Sequence, residues 1–176
     1  MYGNKSQKIH GNYHTVSILV NDEPGVLSRI ANMFMKRNFN IDTLTVGPSI
    51  KKGISRMTIS FFGDDTIYEQ LVKQLNKLID VIKLNDLPIN NSIITELALV
   101  KISAKNINEQ NQVMMYCQAY RTRVINITHS DMIVEIVGRP DNIESFIQLT
   151  KNLGLREISR TGTTAMSRGH DSIEKS

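Results

Sequence analysis

A chain of 176 residues with 40% hydrophobic residues, 22% charged residues and a net charge of +4 has the profile of a globular protein with room for one or two cores. No run of about 18 apolar residues is present to span a membrane, and the polar start, Met1 to Asn12, lacks the apolar stretch of a secretory signal. One cysteine, Cys117, excludes an internal disulfide and fits a reducing, cytoplasmic setting; basic and acidic residues are interspersed along the chain, which argues against a nucleic-acid partner.

The first strand is expected over His14 to Val20. Asp22-Glu23-Pro24-Gly25-Val26-Leu27 then hands over to a helix whose apolar stripe is read as Leu27, Ile30, Ala31 and Phe34. Strands follow at Ile41 to Val46 and Ile54 to Phe62, separated by Gly47-Pro48-Ser49 and Lys51-Lys52-Gly53. In the second of them Arg56, Thr58 and Ser60 alternate with Met57, Ile59 and Phe61, one polar face against one buried face. A helix with Ile67, Leu71, Leu75 and Leu78 is capped by Asp64-Asp65, and Asp80 to Asn85 is a strand.

The same order then repeats. A strand at Glu96 to Ser103 precedes a helix at Asn106 to Tyr120, with Val113, Cys117 and Tyr120 on one side. Arg123 to Thr128 and Met132 to Val137 form a strand pair, Pro140 opens a helix with Ile143, Phe146, Ile147 and Leu153, and Leu155 to Ser159 is the last strand. The fold class is therefore α+β: two ferredoxin-like βαββαβ units with antiparallel sheets and helices on one face. The first unit is expected over 13–86, a linker over 87–94 and the second unit over 95–162. Residues 1–12 and 163–176 read as polar tails.

The junction after the first strand carries the most chemistry. Pro24 suits the start of a helix, and Gly25 lets backbone approach a ligand closely. The first helical amides, from Gly25 onward, would then face an anion with the helix dipole behind them. Asp22 adds an acceptor, so a carboxylate and an ammonium group could both be held, as a free amino acid requires. The plainer reading is a tight turn with Asp22 as the N-cap. Four scattered histidines have no spaced carboxylate or thiol partners, and no nucleophile elbow, Walker loop or dinucleotide fingerprint is present. The sequence therefore offers no catalytic group and no metal site.

The strand, Asp22-Glu23-Pro24-Gly25-Val26-Leu27 and the βαββαβ order resemble the ACT domain, a small-molecule-sensing module. Leu27-Ser28-Arg29-Ile30, Asn40 to Gly47, Ser55 to Ile59 and Gln74 to Val81 resemble the small regulatory subunit of acetolactate synthase (acetohydroxyacid synthase). Leu99 to Ile102, Ser159-Arg160-Thr161-Gly162 and Ser167-Arg168-Gly169 agree with it. The resemblance implies a non-catalytic subunit of branched-chain amino acid biosynthesis that activates a large catalytic subunit and confers feedback inhibition by valine or a related amino acid. It implies a homodimer through the ACT domain. The effector would be held by Asp22, Gly25, Val26 and Leu27 of one chain and by Asn40 and Ile41 of the other. This chain would bind no cofactor; thiamine diphosphate and Mg, with FAD as an optional companion, belong on the catalytic partner. Some family members carry Asn where Asp22 stands, and the segment before Tyr13 is longer than the family's usual start. The alternative is a free-standing ACT-domain sensor serving another partner such as a transcription regulator, although no DNA-reading helix pair stands out.

Overall fold

The computed structural model describes residues 12–174. The chain forms two compact units, the first taking in residues up to Ser92 and again from Met166, the second Ile93–Ala165. The tail expected over 1–12 lies, except for Asn12, outside the described residues.

In the first unit β1 (Asn12–Asn21), α1 (Val26–Lys36), β2 (Thr43–Pro48), β3 (Ile54–Gly63), α2 (Asp65–Leu75) and β4 (Val81–Asp86) follow the expected order. The four-stranded antiparallel sheet runs β2-β3-β1-β4. Val16, Ile18 and Val20 of β1 join Met57, Ile59 and Phe61 of β3 in a core with Ile30 and Phe34 of α1 and Leu71 and Leu75 of α2. Asp64 caps α2, accepting from the Ile67 amide at 2.8 Å.

Three local expectations change. The buried stripe of α1 is Val26, Ile30, Met33 and Phe34, while Leu27 is 46% exposed. Both stripes share Ile30 and Phe34 and satisfy helical spacing; Val26 and Met33 together bring more apolar surface to the core than Leu27 and Ala31. Next, β2 starts at Thr43 and continues through Gly47 and Pro48, which pair with Arg56 and Ser55. A proline is tolerated there because β2 is an edge strand. Finally, the polar face of the sheet is not solvated: Ser17, Thr58 and Ser60 are buried, and the Thr15 and Ser60 hydroxyls lie 3.2 Å apart.

The chain's last segment returns to this unit. Asn85 of β4 donates to Ser167 Oγ at 2.9 Å, and Ser49, just past β2, donates to Glu174 Oε2 at 2.7 Å. The segment thus reaches from one edge of the sheet to the turn at the other, and Ile173 on it is 4% exposed. A polar tail from 163 onward was the expectation. One buried isoleucine and side-chain hydrogen bonds over 82 and 125 residues of sequence separation leave no periodic signal that could have revealed the strap.

The second unit contains β5 (Ser92–Ser103), α3 (Ile107–Tyr120), β6 (Arg123–Ile127), β7 (Asp131–Gly138), α4 (Pro140–Thr150) and β8 (Leu155–Arg160), in sheet order β6-β7-β5-β8. β5 begins inside the stretch read as a linker, and β9 (Thr164–Ser167), inside the stretch read as a tail, pairs with it. Ala98, Val100, Ile102, Val113, Cys117, Phe146 and Ile147 belong to its separate core.

Candidate functional site

Glu23-Pro24-Gly25-Val26 is a tight turn. Gly25 has φ 88° and ψ −11°, the values of the third residue of a type II turn, and the Val26 amide donates to the Glu23 carbonyl at 3.4 Å. Pro24 therefore opens the turn and not the helix, and the N-cap is Gly25, not Asp22. A left-handed φ with no side chain is what glycine supplies. Arg29 N donates to Gly25 O at 3.0 Å as the first helical bond. This leaves the amides of Gly25, Leu27 and Ser28 without a protein acceptor among the described residues, and no side chain caps the helix. The Val26 amide is engaged in the turn and its side chain is in the core, which differs from its expected role as an open donor.

Asp22 lies beside the turn. Its amide donates to Gly53 O at 2.9 Å and its Oδ1 accepts from Ser55 Oγ at 3.1 Å, which ties the turn to the end of the β2–β3 loop and the start of β3. Leu27 stands exposed next to the open amides. Asn40 and Ile41 are placed elsewhere. They follow the far end of α1, in the loop before β2, where they line an open hollow of ≈ 400 Å³ with Ala31, Phe34, Met35, Asn38 and Phe39. An 11-residue helix is about 16 Å long, so within one chain the two groups of residues do not meet.

Two residues of the junction escaped the sequence reading. Arg29 grips Asp80, which is 5% exposed, through Nε to Oδ2 at 2.6 Å and Nη2 to Oδ1 at 2.8 Å. Those bonds hold the Asp80 carboxyl below the ordinary carboxylate range, against burial, and Asp80 in turn raises Arg29. The Asp80 carbonyl accepts from Asn21 N at 3.0 Å, so the pair braces the turn from both sides. A basic residue beside the first turn of a helix opposes the helix dipole, and that was the available signal.

The matching junction of the second unit carries a side-chain cap. Asn106 Oδ1 accepts from the Glu109 amide at 3.0 Å, while Glu109 Oε2 accepts from the Lys105 amide at 2.7 Å. Asn106 is thus a side-chain N-cap, and Glu109 folds back onto the residue before it and onto the Asn106 side-chain amide (2.8 Å), so a carboxylate of the protein itself stands beside the start of the helix. Among the described residues no group of three or more His, Cys, Asp or Glu side chains is placed to hold a metal ion. No described helix is long and apolar enough to cross a membrane.

The family model for the AHAS small subunit-like ACT domain matches residues 16–83, and the model for the small subunit of acetolactate synthase matches residues 95–169. The chain belongs to the acetolactate synthase small-subunit family. It is 45% identical to the probable acetolactate synthase small subunit of Methanothermobacter thermautotrophicus, over 89% of this chain and 93% of that one. It is 39% identical to the acetolactate synthase small subunit of Mycolicibacterium smegmatis, over 89% of this chain and 91% of the relative. The crystal structure of the Thermotoga maritima acetolactate synthase small subunit superposes with a TM-score of 0.83 at 35% identity, covering 91% of this chain and 99% of that one. The chain is thus a regulatory subunit with an ACT domain, and its two ferredoxin-like units are those of the small-subunit fold.

Proposed function

We propose that this small subunit activates a thiamine-diphosphate-dependent catalytic subunit in the cytoplasm and confers feedback inhibition by valine, which binds between the ACT domains of two copies. The observation that carries the reading is the uncapped start of α1, where the Gly25, Leu27 and Ser28 amides are open to an anion. The second unit supports it by contrast, since there Asn106 caps the helix and Glu109 places the protein's own carboxylate beside its start.

The sheet register supports a shared site. β1 and β2 each pair antiparallel with β3, so they run in the same direction. Asn21 lies opposite Ile54 and Pro48 opposite Ser55, so the Gly25 turn is at the end of the sheet where β2 finishes. Asn40 and Ile41 are at the end where β2 begins. Pairing of two β2 edges around a two-fold axis runs them antiparallel, with the start of one beside the finish of the other. That arrangement carries Asn40 and Ile41 of the partner subunit toward the Gly25 turn, and the apolar hollow beside them suits a branched side chain. Asp22 Oδ2 is then available to the ammonium group. Feedback follows when valine binds one dimer arrangement better than another.

Calorimetric titration of the full chain with valine, leucine and isoleucine, wild type against Gly25→Asp, tests the reading. Saturable binding of one amino acid that disappears in Gly25→Asp is the expected result. A Gly25→Asp variant that binds as tightly as wild type removes the α1 junction as the site. Addition of the catalytic subunit should raise its activity, with valine reversing the gain.

A further inference from the structure

We infer that Arg29 is the side chain through which this site recognises a free carboxylate, an assignment that rests on the effector reading above. The guanidinium uses Nε and Nη2 on Asp80 and has no acceptor for Nη1 among the described residues. A Cβ placed on Gly25 would lie 3.1 Å from Nη1, so this third nitrogen sits at the uncapped turn. The geometry follows from the helix: side chains lean toward the N-terminus, and Arg29, four residues after Gly25, folds back over it. The side chain is 46% exposed and within reach of a ligand, while the buried Asp80 fixes its orientation. Glu23 is the other acid whose field reaches Arg29, and it is exposed to solvent.

The arrangement makes one discrimination. Backbone amides at a helix start donate to a neutral carbonyl oxygen as well as to a carboxylate oxygen, with a bias toward the anion. A guanidinium nitrogen held beside them favours the ionised group through a charge-assisted bond. The site therefore takes amino acids with a free carboxylate and rejects their amides, and Arg29 is the residue that sets this preference. Asp80 positions Arg29 and does not touch the ligand.

Valine and valinamide, equal in shape and different in carboxyl charge, are the probes, titrated by calorimetry into the full-length chain. Wild type should prefer valine. Arg29→Gln should weaken valine by about tenfold or more and leave valinamide within about twofold, so the preference shrinks. Asp80→Asn breaks the same ion pair and should shrink the preference by much less than Arg29→Gln, because the guanidinium remains while its hold is loosened. Arg29→Lys, should Arg29→Gln fold poorly, retains charge without the fork and is expected to show a reduced preference. Equal weakening of both ligands by Arg29→Gln, or loss of preference in Asp80→Asn as large as in Arg29→Gln, would reduce Arg29 to a brace and overturn the assignment. A wild type that binds both ligands equally overturns it as well. A wild type that binds neither overturns the effector reading beneath it.

Discussion

The two units build the same strand-to-helix junction and finish it in opposite ways. In the first, a type II turn ends on Gly25 at φ 88°, and the start of α1 has no side-chain cap. In the second, Asn106 Oδ1 caps the Glu109 amide at 3.0 Å and the Glu109 carboxylate accepts from the Lys105 amide at 2.7 Å. Whether a helix start is capped by the protein itself is therefore set by the few residues around it and not by the βαββαβ fold. The two units share the frame, and the loop chemistry decides which helix start receives a side-chain cap.

The sharpest separation of the two units should come from their ion pairs. Arg160 grips Glu96 through Nε at 2.7 Å and Nη2 at 2.8 Å, and Glu96 is 2% exposed. Arg160→Gln strands that carboxylate in the second unit and should cost about 3 kcal/mol of stability, seen as a lower denaturant midpoint. Effector affinity should be unchanged, since the open junction lies in the other unit. A matching loss of valine binding would show that the second unit is not a passive copy.

A smaller effect is expected at the second helix start. Asn106→Ala removes the cap and should cost about 1 kcal/mol. Valine stoichiometry should remain that of wild type, because Glu109 still stands at the junction. A second set of sites appearing in Asn106→Ala would mean that the cap alone keeps this unit closed.

These expectations depend on features that differed in how visible they were beforehand. The element order was legible because apolar spacing changes from two to near four between strands and helices, and because Asp64, Asn106 and Pro140 mark helix starts. Glycine after proline marked the open junction. The phase of α1 was not legible, since Leu27 and Ala31 compete with Val26 and Met33 for one helical stripe and only packing against the sheet decides. Arg29 and Asp80 are 51 residues apart, and nothing local signals such a pair except a cation at the wrong end of a helix dipole. The return of residues 166–174 to the first unit was hidden for a similar reason: a buried isoleucine in a polar stretch has no period.

The smallest expected effect is a pH dependence confined to the first unit's brace. Hydrogen bonds from Arg29 hold the Asp80 carboxyl below its ordinary range, more than offsetting the opposing influence of burial. A carboxyl whose folded value is depressed binds fewer protons folded than unfolded. Its contribution is fully present above the unfolded value, about pH 4, and is lost as pH falls through the lower folded value. Wild type should therefore lose stability on acidification below about pH 4, and Asp80→Asn should be less stable above that point with a shallower slope below it. Thermal melts across this range, run beside Arg29→Gln, measure the difference. Equal slopes in all three proteins would move the acid-sensitive contact away from the start of α1. A shallower slope in both variants would place the acid-sensitive contact in the Arg29–Asp80 pair, where each partner's loss removes the same two hydrogen bonds.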